Sequence, residues 1–131
     1  MEPLEKKIIF IVDDDIIYLE LLKNELTELK NIEVETFTSA EKCLEKMYKK
    51  PDLIILDFYL DTLNPENMNG HNALKEFYIE NPKQKIVFIS SSNNEFLLEE
   101  YKRYRSVDFI VKTDSGINHL QQLVKYHLKA A

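Results

Sequence analysis

The stretch Leu53-Ile54-Ile55-Leu56-Asp57-Phe58 decides how this chain reads. Four apolar residues follow one another without alternation, then a carboxylate, then an aromatic ring. A short unbroken apolar run is the pattern of a strand covered on both faces, as in the centre of a parallel sheet. Asp57 falls where that strand ends. Open parallel sheets bind ligands beyond the carboxyl ends of their strands, where strand order reverses. Asp57 is therefore the expected chemical centre, provided other strands bring matching groups to the same edge.

Working upstream, residues 8–12 form a second apolar run, halted by Asp13-Asp14-Asp15. Ile16, Leu19, Leu22, Leu26 and Leu29 then recur at steps of three and four, the stripe of an amphipathic helix. Asp15 can cap it, since its carboxylate can accept from the free amides of the first turn. Residues 32–37 read as a β-rich run. Thr38 with Glu41 fits a capping box opening a helix to about Lys49, and Pro51 closes the connection into the central strand.

Downstream, residues 59–69 make a loop longer than the two to six residues usual in α/β units. A helix follows from about His71, with Leu74, Phe77 and Tyr78 inward, and Asn81-Pro82 ends it. A fourth strand spans 86–89 and leads into Ser90. A helix is expected over 94–104, a fifth strand over 107–111 ending at Lys112, and a last helix capped by Asp114 or Ser115 with the stripe Ile117, Leu120, Val124 and Leu128.

Five alternating strand–helix units imply a parallel sheet with helices on both faces. The best fit is a doubly wound, flavodoxin-like α/β fold of strand order 2-1-3-4-5. The length of 131 residues allows one domain, with a core over about 6–128 and no output domain expected. The formal net charge of −6 argues against direct nucleic-acid binding. No apolar run is long enough for a membrane span and no secretory signal is visible, so the cytoplasm is the default. The lone Cys43 cannot form an internal disulfide and reads as an inert thiol. His71, His119 and His127 lack ligand spacing with one another.

The strand ends now form a set: Asp13 and Asp14, Asp57, Ser90 and Lys112. Clustered carboxylates repel and raise one another's pKa. A hard cation and the Lys112 ammonium relieve that. Oxygen donors without Cys or His suit Mg²⁺, which completes its shell with water and phosphate oxygens. A carboxylate facing Mg²⁺ and a phosphoryl group can act as a nucleophile.

Over about residues 6–128 the chain resembles the receiver domain of two-component response regulators. The matching pieces are IFIVDDD (9–15), PDLIILD (51–57), MNG (68–70), IVFIS (86–90) and VDFIVK (107–112). The resemblance implies that Asp57 is phosphorylated and that Mg²⁺ is bound by Asp14, Asp13, Asp57 and the Tyr59 carbonyl. It implies that Lys112 pairs with Asp57 or its phosphate, and that Ser90 and Phe109 form the switch pair. The implied phosphoryl donor is a sensor histidine kinase or phosphotransfer protein. The implied output is a downstream protein meeting the face of the fourth helix, fifth strand and fifth helix. Such a module is not an enzyme beyond promoting its own phosphorylation and dephosphorylation.

Four features depart from the family pattern. Leu60-Asp61 replaces a Met-Pro pair, the loop to Gly70 is several residues longer, and Thr113 replaces a proline preceded by a cis bond. A cis bond before a non-proline residue costs about 3–4 kcal/mol, so the 112–113 bond is expected to be trans. Phe109 also stands where tyrosine is common. Two other functions are compatible with the residues. One is a Mg²⁺-dependent phosphohydrolase with an Asp nucleophile, which Tyr59, in place of a second Asp, disfavours. The other is an interaction domain that keeps only the fold.

Overall fold

The computed structural model describes residues 6–60, 68–90 and 107–128. Five strands, β1 (Lys7–Val12), β2 (Ile32–Phe37), β3 (Leu53–Asp57), β4 (Ile86–Ser90) and β5 (Val107–Val111), pair in parallel in the order β2-β1-β3-β4-β5. The helices are α1 (Ile16–Thr27), α2 (Ala40–Leu44), α3 (Gly70–Glu80) and α4 (Asp114–Leu128). The expected helix over 94–104 lies outside the described residues, as does Asp61.

Alternation along the strands divides the core in two, because successive side chains point to opposite faces. Phe10, Val12, Ile54, Leu56 and Phe88 pack on one side with Ala40, Cys43, Met47, Leu74 and Phe77 of the α2 and α3 region. Ile9, Ile11, Leu53, Ile55, Val87 and Ile89 pack on the other with Leu19, Leu22 and Leu26 of α1 and Leu120 and Val124 of α4. Every residue of β3 is buried, which is why its sequence lacks alternation. The register sets Val12 beside Leu56 and Asp57 beside Ile89, so the ends of β1, β3 and β4 lie along one edge. Cys43 is buried, and that burial pushes its thiol pKa up.

Four local expectations are corrected. Ile16 is not part of the buried stripe; it is 65% exposed. The cap of α2 is Ser39, not Thr38: its hydroxyl accepts from Lys42 N–H at 3.2 Å. Glu41, cast as the other half of the capping box, instead accepts from Met68 N–H at 3.2 Å. The helix from there also stops early, giving way to a short 3-10 turn over Met47–Lys49 that ends at Lys50 with φ 55°. Pro51 disfavours the right-handed helical region for the residue before it, which explains that stop. Finally, the cap of the last helix is Thr113, whose Oγ1 accepts from Gly116 N–H at 3.1 Å. The Lys112–Thr113 bond is trans, as expected.

Gly70 begins α3 against the end of β3. Its N–H donates to Phe58 C=O at 2.9 Å, and a Cβ there would lie 2.5 Å from Asp57 O and 2.6 Å from Phe58 Cα. Both are backbone atoms and cannot swing away. We expect Gly70→Ala to lower unfolding stability by about 1–3 kcal/mol in a urea titration, by overpacking. A wild-type midpoint would contradict the close approach.

Candidate phosphoryl-acceptor site

The turn after β1 supplies two of the carboxylates. Asp13 N–H donates to Phe37 C=O at 3.1 Å, and Asp13 Oδ1 accepts from Asp15 N–H at 2.9 Å. Asp15 caps α1, its Oδ1 accepting from Ile17 and Tyr18 N–H at 3.0 and 3.4 Å. Asp13 is thus folded into the edge while Asp15 serves the helix. Asp13 is fully buried, Asp57 is 2% exposed and Asp14 is half-buried. One oxygen from each of Asp13, Asp14 and Asp57 can be chosen so that all lie within 4.8 Å of one another.

Lys112 reaches this trio from the end of β5. Its Nζ lies 2.7 Å from Asp13 Oδ2 and 3.4 Å from Asp57 Oδ2. Asp57 Oδ1 accepts from Tyr59 N–H at 3.2 Å. Burial, then the Asp13 charge, push the Asp57 pKa up to about 8; Lys112 and the Tyr59 amide pull the other way without prevailing. Burial alone would lower the Lys112 pKa, but the two carboxylates outweigh it and hold the ammonium above its ordinary value.

Ser90 is fully buried at the end of β4, one position beyond Ile89, the register partner of Asp57. Its C=O accepts from Lys112 N–H at 2.7 Å, coupling the backbone at the end of β4 to the lysine. Phe109 is half-buried beside Phe88 and packs against the core on the α2 and α3 side. Two placements escaped the sequence reading. Leu60 is fully buried at the start of the long loop. Tyr18 places its ring over Lys112, with Nζ 4.4 Å from the ring centroid. Tyr18, Leu22 and Leu26 share helical spacing, so the ring's direction toward the sheet was readable.

The response regulator receiver domain family matches residues 9–125. The chain belongs to that family. A chemotaxis protein CheY of Thermotoga maritima is 32% identical over 108 residues, covering 81% of this chain and 85% of that protein. A CheY of Listeria monocytogenes is 29% identical over 121 residues, covering 89% and 95%. Two solved structures share the fold. The receiver domain of NtrX from Brucella abortus has a TM-score of 0.80 at 24% identity, covering 94% of this chain and 99% of that one. CheY4 of Vibrio cholerae has a TM-score of 0.77 at 21% identity, covering 92% and 98%. The acidic edge sits beyond the carboxyl ends of the parallel strands. Among the described residues no helix is long and apolar enough to cross a membrane.

The donor set of this receiver fits a hard divalent cation. Three carboxylates face one ammonium, leaving an excess of negative charge in a half-buried place. Asp13 Oδ2 is buried, with the Lys112 ammonium 2.7 Å away as its ion-pair partner. A divalent cation at the three carboxylates would offset the charge that one ammonium leaves uncompensated.

The raised Asp57 pKa has a consequence for stability. An acid whose folded pKa exceeds its unfolded value of about 3.9 favours the native state fully below that value. The contribution is lost as pH rises from about 4 to 8, where the unfolded chain holds fewer protons. We expect metal-free Asp57→Asn to be more stable than wild type at pH 8 by roughly 1–2 kcal/mol, since Lys112 loses a partner as repulsion is relieved. The difference should shrink toward pH 4. Chemical denaturation across that range measures it, and a pH-independent difference would refute it.

Proposed function

We propose that this receiver is a phosphorylatable switch that accepts a phosphoryl group on Asp57 from the phosphohistidine of a sensor histidine kinase or phosphotransfer protein. The observation that carries this reading is the Lys112 ammonium set between Asp13 and Asp57 at a buried acidic edge. A carboxylate oxygen of Asp57 attacks phosphorus, the P–N bond breaks, and the departing imidazole keeps its electron pair and takes a proton. The product is an acyl phosphate. Mg²⁺, held by Asp13, Asp14, Asp57 and the Tyr59 carbonyl, would neutralise charge on the phosphoryl oxygens.

The remaining steps belong to the chain itself. Lys112 pairs with a phosphoryl oxygen and the Ser90 hydroxyl takes another. Ser90 thereby leaves space that Phe109 enters. The surface of the helix expected over 94–104, β5 and α4 then changes shape and is read by a downstream protein. Phe109 has no hydroxyl, so the inward ring is held by packing alone. The chain acts as a single receiver unit over 1–131 in the cytoplasm, with no direct nucleic-acid or membrane contact. Its chemistry is confined to its own phosphorylation and dephosphorylation.

Incubation with Mg²⁺ and acetyl phosphate should give a phosphoryl mass increment on wild type, released by hydroxylamine, and none on Asp57→Ala. Asp14→Ala should raise the Mg²⁺ concentration required by roughly tenfold or more. Labelling of Asp57→Ala to the wild-type extent would defeat the reading. A second expectation concerns lifetime. Tyr59 is half-buried, and its amide already donates to Asp57. A side chain of that bulk, two residues past the acceptor, should shield the acyl phosphate from water. Tyr59→Ala keeps the amide and should lose phosphate severalfold faster; an unchanged or slower rate would sink this explanation.

A further inference from the structure

Lys112 has the longest reach of any group in the site. It leaves the end of β5, an edge strand, and must extend past β4 to meet carboxylates from β3 and β1. A lysine stem is flexible and its ammonium strongly hydrated, so such a pose needs restraint beyond its ion pairs. The side chain is nevertheless only 14% exposed. Among the described residues it also meets Tyr18, in the first turn of α1, whose ring centroid lies 4.4 Å from Nζ. The negative face of an aromatic ring attracts a cation at that distance, more strongly where water is excluded.

We propose that Tyr18 is a positioning residue, which clamps the Lys112 ammonium between an aromatic face and the Asp13 and Asp57 carboxylates. This rests on reading Asp57 as the phosphorylated residue and adds a part to that site. The ring is itself held. Tyr18 N–H donates to Asp15 Oδ1, and Asp15 N–H donates to Asp13 Oδ1. Its side chain packs against the core on the α1 and α4 side. The same turn therefore delivers both the acid nearest to Lys112 and the ring that covers Lys112.

The two restraints respond differently to the site's chemistry. The pair with Asp13 weakens whenever that carboxylate is engaged by a cation, because its charge is then shared. The uncharged ring faces no such competition and keeps the ammonium by Asp57. Tyr18 thus matters most in the state that reacts.

The test uses the full chain, with Tyr18→Phe, Tyr18→Leu and Tyr18→Met. A ring above Lys112 shields its ε-CH₂ protons, so in isotope-labelled protein they should resonate upfield in wild type and Tyr18→Phe. In Tyr18→Leu and Tyr18→Met they should return to the ordinary lysine position. Asp57 phosphorylation by acetyl phosphate and Mg²⁺ should stay within about twofold of wild type in Tyr18→Phe, where the ring persists. It should fall by about three- to tenfold in Tyr18→Leu and Tyr18→Met, the span of an ordinary cation–π contact. An unmoved Lys112 signal in both ringless variants overturns the proposal. So does a wild-type rate in both, or an equal loss in Tyr18→Phe, which would assign the effect to the hydroxyl. A thermal melt identifies a variant that fails to fold, and the other ringless variant then decides. If wild type takes no phosphoryl group, the role of Asp57 falls and this role with it, while the Lys112 signal still reports whether the clamp exists.

Discussion

One ammonium facing two buried carboxylates is the contact on which the rest of this receiver depends. Asp13 and Asp57 come from adjacent strands that the hydrophobic core forces side by side. Their charges repel across a poorly solvated gap, and Asp14 adds a third. Without a cation from elsewhere the edge could not close. Lys112 supplies it from the far side of the sheet. The strand order therefore has an electrostatic role as well as a packing one: acids converge at the switch point, and a base reaches in from the edge strand. The bridge remains incomplete in charge, and that incompleteness makes the site receptive. A fully neutralised cluster would attract a divalent cation less.

The same contact explains why the site is a weak point in a strongly packed domain. The strands beneath it are sealed on both faces, with Phe10, Phe77 and Phe88 among the largest buried side chains. Truncating such residues typically costs about 3–5 kcal/mol. The acidic edge works against that stability, because desolvation keeps Asp57 partly protonated. Ionising Asp57 and binding a cation are thus linked, each favouring the other. A site that charges more fully when a cation arrives differs between its empty and loaded states. That difference is the raw material of a two-state response.

How much of this was legible depended on whether the signal was local. The central strand and the fourth strand announced themselves as unbroken apolar runs, since both their faces are covered. Asp13, Asp57 and Lys112 followed from their places at strand ends. The misread caps lay where neighbouring residues offered the same chemistry. Thr38 and Ser39 can both cap a helix, and so can Thr113, Asp114 and Ser115. Only the backbone path chooses between them. Ile16 satisfied the helical spacing yet lies beside the cap, at the exposed start of α1. Tyr18 was overlooked for the opposite reason. Its partner is ninety-four positions away in sequence, so no window could pair the ring with Lys112.

The long loop after β3 is the clearest departure from the family pattern, and the anchors around it explain why the site tolerates it. Leu60 is fully buried where the loop leaves. Met68 N–H is held by Glu41 where it returns. Gly70 then rests on the backbone of Asp57 and Phe58 with no room for a side chain. Between fixed ends, extra residues add closure entropy only slowly, so an insertion of this kind costs little. What it must not do is shift Gly70, because the start of α3 is built directly on the strand end that presents Asp57. The added length can therefore vary the surface next to Asp57 without moving Asp57.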